Sequence, residues 1–156
     1  MANDGGMMAK LEQWMADTLA ALQSGGSDVF KTADVWKHQV GPTKSGIEAF
    51  ARYAPFAFAG YSGGKSAREG DNDLRQILSF GVLIGVVSKR DGDARTGNSN
   101  KLGTSKIRDL VIAAFDKVHP GDGFGCDEFY YTGDIEQLDA PKMHAIELFF
   151  ETNFIT

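Results

Sequence analysis

The sequence predicts an α+β domain of two layers, with two main helices packed on a mostly antiparallel sheet of four or five strands. Three patterns carry this expectation. The apolar run over residues 74–87 places Leu74, Leu78, Phe80, Val82, Ile84 and Val86 on one face at period two. The closing run over 143–154 sets Ile146, Leu148, Phe150 and Phe154 against Glu147, Glu151 and Asn153, the alternation of a half-buried antiparallel strand. Residues 7–23 and 105–118 instead repeat their apolar positions at helical spacing.

In chain order, the first helix is expected over residues 7–23. Its apolar face is Met7, Leu11, Trp14, Met15, Leu19 and Leu22, and Gly25-Gly26 ends it. Residues 29–40 read as a strand with Phe30, Trp36 and Val40 on one side and Lys31 and Lys37 on the other, closed by Gly41-Pro42. Residues 43–54 read as a short helical turn around Ile47, Phe50 and Ala51, and Pro55 forces an extended residue before it. A short strand over 56–61 precedes a polar connection over 62–73. On the 74–87 strand the second face carries Arg75, Ser79, Gly81 and Gly85 beside Ile77, Leu83 and Val87, which suits a covering helix or a neighbouring subunit. Residues 88–103 lack apolar periodicity and are long for a loop in a compact domain, so the segment is expected to be mobile or used for contact. The second helix buries Ile107, Leu110, Val111, Ala114, Phe115 and Val118 and stops at His119-Pro120-Gly121. Strands over 128–137 and 143–154 complete the order.

The 156 residues suit one domain, 1–156, with the first six expected to be disordered. A single cysteine leaves no internal disulfide, so packing alone must hold the fold. No apolar run approaches membrane-spanning length, and the N-terminus lacks the basic and apolar regions of a signal peptide. The net charge of -5 argues against a dedicated nucleic-acid binder. That charge is polarised: residues 61–119 carry ten Lys and Arg against seven Asp and Glu, whereas residues 120–156 carry one against eight.

Several segments invite a chemical reading and fail it on spacing. Gly64-Lys65-Ser66 ends like a phosphate loop, yet the required first glycine is Ala59 and no apolar helix follows. Asp91 and Asp93 begin like a calcium loop, but Arg95, Thr96 and Leu102 occupy its ligand and turn positions. His38, His119 and His144 share no paired spacing, Cys126 has no activating neighbour in sequence, and Asp127 and Glu128 point to opposite faces of a strand. No catalytic, cofactor or metal residue is therefore predicted. The basic residues Lys65, Arg68, Lys89, Arg90, Arg95 and Lys101 fall in two connections at opposite ends of the 74–87 strand, and with Phe149, on the Glu-bearing side of the last strand, they form the predicted interface set.

Three segments carry a family resemblance: a Trp in an early strand (ADVWKHQV, 33–40), a Pro-led strand ending in a glycine pair (PFAFAGYSGG, 55–64) and a Phe-Glu-Thr strand at the end (HAIELFFETNF, 144–154). In these the chain resembles the Mu-like phage tail-completion family, whose members look like tail terminators. The resemblance implies a structural virion protein of the tail neck, assembled in the host cytoplasm, with neither enzymatic activity nor a cofactor. It implies a ring, a hexamer in the family, on the head-proximal end of the tail tube. There it would stop tube polymerisation and offer a surface to the head-tail connector or stopper protein, while genomic DNA passes its lumen without specific binding. A head-side completion or stopper protein is the alternative within the class, and a small hydrolase or nucleotide-binding enzyme the alternative outside it.

Overall fold

A computed structural model describes residues 6–37, 43–68, 74–99 and 101–155, and it has the α+β architecture the sequence predicts. Helix α1 spans Gly6–Ala21, strand β1 Thr32–Val35 and helix α2 Lys44–Glu48. Strand β2 spans Phe56–Arg68, β3 Leu74–Val87, and helices α3 and α4 Asp93–Thr96 and Thr104–Phe115. Strands β4 (Tyr130–Ala140) and β5 (Met143–Ile155) end the fold. The five strands lie in the order β1-β2-β3-β5-β4. Only β1 runs parallel to its neighbour, because α2 lies in the crossover between β1 and β2; the other three pairs are antiparallel.

Helices α1 and α4 cover one face of the sheet. Leu11, Met15 and Leu19 from α1 and Ile107, Val111 and Phe115 from α4 join Phe80, Val82, Ile84, Leu148 and Phe150 in one buried cluster. Trp14 links the helices by packing edge-on to Phe115 at 5.5 Å. Burying these side chains is the main source of stability, at about 1.5–3 kcal/mol for each large residue. Among the described residues the opposite face is covered over one half only. There α2 and the turn at Ala51–Tyr53 place Ile47 and Phe50 on Phe56, Phe58, Leu138, Met143 and Ala145.

Four local expectations are corrected. Residues 62–68, read as a connection, continue β2, and β2 and β3 pair as far as Arg68 and Leu74. The first strand is four residues long, and Trp36 follows it with 37% of its surface exposed rather than facing the core; Val40 and His38 lie outside the described residues. The short strand leaves Trp36 beyond the edge, its backbone N–H on Ala59 O and its side chain against Gly60. The 88–103 segment, read without regular structure, carries some in its described residues: α3 buries Ala94, and the two-residue ribbon Gly97–Asn98 with Lys101–Leu102 leads into α4. Finally, Gly25-Gly26 turns a small ribbon between Gln23–Ser24 and Ser27–Asp28, since α1 already ends at Ala21. Residues 1–5 of the expected disordered N-terminus lie outside the described residues, and Gly6 is already helical.

Candidate functional site

The uncovered half of the second sheet face is the candidate site. Period-two alternation brings Lys65 of β2, Ile77, Ser79 and Gly81 of β3, Glu147, Phe149 and Glu151 of β5, and Ile135 of β4 to this face. Two depressions mark it. One, of about 350 Å³, is lined by Trp36, Ile47, Phe58, Leu83, Gln137 and Glu147 over Gly60 and Gly81. The other is shallower and brings together Lys65 and Phe149, beside Ile135 and Glu151.

Glu147 is the unusual group on this face. Its Oε1 accepts a hydrogen bond from Gln137 Nε2 at 2.9 Å, and its Oε2 lies where a side chain at position 81 would begin, 2.5 Å from an ideal Cβ. Only glycine at 81 leaves room for the carboxylate to lie flat on the sheet. Burial pushes the Glu147 pKa up, and the Gln137 bond opposes this only in part. The folded protein therefore holds the proton to a higher pH than the unfolded chain, and stability falls as pH rises from about 4.3, the ordinary Glu value, through the raised value. Glu147→Gln is accordingly expected to raise the thermal midpoint at pH 8, with the gain gone near pH 4. Paired melts of parent and variant check this. An unchanged difference between the two pH values would contradict it.

The other predicted residues are scattered. Lys65 lies opposite Ile77, and Arg68 ends β2 opposite Leu74. Lys89, Arg90 and Lys101 are exposed beyond the other end of β3, about 40 Å away by strand rise. The two basic groups thus form no single patch. Arg95 is not a free loop charge, because its guanidinium lies 2.6 Å from Glu136 and 3.0 Å from Asp139. Its reversal to Glu would set three carboxylates together, so Arg90 alone is the clean probe of docking by this segment. For the near-phosphate-loop residues, now on a strand, Lys65→Ala with Ser66→Ala is expected to change stability by less than about 1 kcal/mol, since both side chains are exposed. Thermal melts with and without nucleotide check both this and the absence of nucleotide stabilisation expected from the spacing.

On the helix-covered face, sequence reading missed a polar network buried at Thr104 and His144 and open to solvent at its carboxylates. Thr104, at the start of α4, hydrogen-bonds His144 Nδ1, and His144 Nε2 lies 2.8 Å from Glu136 Oε2. In the neutral ring Nε2 donates to the carboxylate and Nδ1 accepts from the hydroxyl. The His144 bond, reinforced by the Arg95 charge, holds the Glu136 carboxyl below its ordinary range. Hydroxyl, imidazole and carboxylate stand in the order of a nucleophilic relay, but Thr104 is 1% exposed and no substrate reaches it. Glu136, Asp139 and His144 could also hold a cation, with donor atoms within 4.8 Å of one another. The Arg95 guanidinium already sits against both carboxylates and supplies that charge. The network pins the start of α4 to β4 and β5. One turn on, Arg108 ties α4 to β4 alone: it binds Asp134 at 2.6 Å and the Tyr131 hydroxyl at 2.9 Å, and the Tyr131 bond and the Arg108 contacts lower the Asp134 pKa.

His119 and Cys126 come close, but through the backbone: His119 Nε2 lies 2.8 Å from the Cys126 carbonyl. The thiol is buried, and burial pushes its pKa up, the reverse of what a thiolate nucleophile needs. Among the described residues no helix is long and apolar enough to cross a membrane. The sequence matches no protein-family model, and no curated protein matches it.

Proposed function

We propose that the protein is a structural subunit that closes into a ring, of the tail-terminator type its sequence resembles. The observation that carries this reading is where its large apolar side chains meet solvent. Of the four among the described residues, three lie at the two opposite edges of the sheet: Trp36 (37% exposed) just past β1, and Tyr130 (43%) and Ile135 (55%) on β4. The edges are unlike each other. Strand β4 has eleven residues and one strand neighbour among the described residues, whereas β1 has four. A contact between two different patches is heterologous, and it gives a ring when the rotation between copies closes.

In this reading β4 of one copy meets the β1 edge of the next, six copies form the ring, and the ring sits on the tail tube in the neck of the virion. Of the five carboxylates in residues 127–139, Asp134, Glu136 and Asp139 are met by Arg108 and Arg95, which leaves Asp127 and Glu128 as the acidic pair at the start of β4, while Lys31 and Lys37 bracket β1, Lys37 lying 3.9 Å from Asp34. Those opposite charges favour the heterologous pairing over a pairing of like edges. An acidic lumen would let DNA pass by repulsion. The partners are the protein's own copies, the tail tube protein and the connector or stopper protein. The experiment is polymerisation of tail tube protein with and without the chain, read as tube length by electron microscopy. Short tubes of uniform length, each with a ring at one end, are expected. Tube lengths indifferent to the chain would overturn the reading, and rings that bind only the connector would favour a head-side stopper.

A further inference from the structure

We infer that the 350 Å³ depression over Gly81 is a binding pocket for an alkyl cation, a guanidinium or ammonium group on an aliphatic stem, with Glu147 as its counter-ion. The pocket belongs to the single chain, where Trp36 is 37% exposed; in the proposed ring Trp36 would lie at the contact between copies, so binding is measured on unassembled protein. The floor is made for a ligand head: Gly60 and Gly81 withdraw side chains from the sheet surface, and the space that a Cβ at 81 would take is filled by the Glu147 carboxylate. The walls are apolar, from Ile47, Phe58 and Leu83, and Trp36 offers an indole at the rim. Among the described residues no Lys, Arg or His lines the depression and no basic side chain forms an ion pair with Glu147. A carboxylate withdrawn from water with one neutral partner is costly for the fold. A cation arriving from outside offsets that cost through a charge-assisted hydrogen bond to Oε2, while its stem covers the apolar walls and its charge meets the indole face. A neutral donor gains only an ordinary hydrogen bond from Glu147, without the charge attraction, and an anion is repelled. The pocket therefore selects charge first and stem second.

The same chemistry is carried by an Arg or Lys side chain of a partner polypeptide and by a free alkylamine. Binding of n-butylguanidinium is followed by NMR through the Trp36 indole and the amides of Gly60, Gly81 and Gln137, in parallel with n-butylurea, its neutral near-isostere. Saturable shifts at these positions are expected, at least about tenfold weaker for the urea, with a similar loss for Glu147→Gln. Equal binding of the two probes, no saturable shift with either, or undiminished binding by Glu147→Gln would overturn the inference. The comparison of probes on the parent protein stands even if the variant misfolds. Blocked N-acetyl-arginine methylamide then separates the sources: binding as tight as that of n-butylguanidinium assigns the pocket to a side chain on a polypeptide, and tenfold weaker binding assigns it to a free amine.

Discussion

Gly85→Ala is expected to destabilise the protein by about 2–3 kcal/mol, the upper range for overpacking a closed site. Gly85 lies on β3 directly opposite Phe56 of β2, and the Phe56 ring covers it. A Cβ added there would stand 2.2 Å from Phe56 Cζ and 2.5 and 2.9 Å from two more ring atoms. The ring has nowhere to go, because Phe56 is fully buried and packed between Phe50 at 5.7 Å and Phe58 at 5.4 Å. Denaturant unfolding measures the cost. A second variant isolates the cause: Phe56→Leu should cost less in the Gly85→Ala background than in the parent, because the smaller side chain relieves the clash. Additive losses, or a Gly85→Ala cost below about 0.5 kcal/mol, would show that the ring does not close the site.

Ile135→Lys is expected to leave the fold intact and to abolish assembly. The side chain is 55% exposed on the edge strand, so its own contribution to stability is small, within about 0.5 kcal/mol. In an edge-to-edge contact the same position would be buried against the next copy, and a charge there would stay unpaired or leave the strand edge blocked, as Lys does on natural edge strands. Thermal melts and capping of tail tubes, measured on one preparation, separate the two effects. A variant that melts like the parent and caps tubes as well would exclude β4 from the interface.

What the sequence made legible was the part where one face of an element is buried. Leu74–Val87 and Met143–Ile155 each repeat apolar residues at period two on the face the helices cover, and the apolar stripes of α1 and α4 are the matching surfaces. The extension of β2 over Ser62–Arg68 was hidden because SGGKSAR has poor strand propensity; it is a strand because β3, already paired with β5, offers it an edge. Trp36 was misplaced for a related reason. A period of two extrapolates only while the strand lasts, and β1 ends at Val35. Arg95 looked like a loop charge because its partners, Glu136 and Asp139, are some forty residues away in sequence. Of the site, Phe149 and Lys65 could be placed from alternation or charge. Glu147 could not, because its burial depends on the absent side chain at Gly81 on another strand. A glycine inside an otherwise apolar strand was the available signal, marking a place where something approaches closely.

If two different edges of the sheet meet in a closed ring, cysteines placed on those edges should cross-link between copies on tail tubes. The native Cys126 is buried and does not compete. Under mild oxidation on tube ends, the double variant Trp36→Cys with Ile135→Cys is expected to give a ladder of linked chains ending at the size of the ring, while Ile135→Cys alone stays unlinked. Efficient dimer formation by Ile135→Cys alone, with no ladder from the double variant, would mean that like edges meet, and the ring account would be wrong.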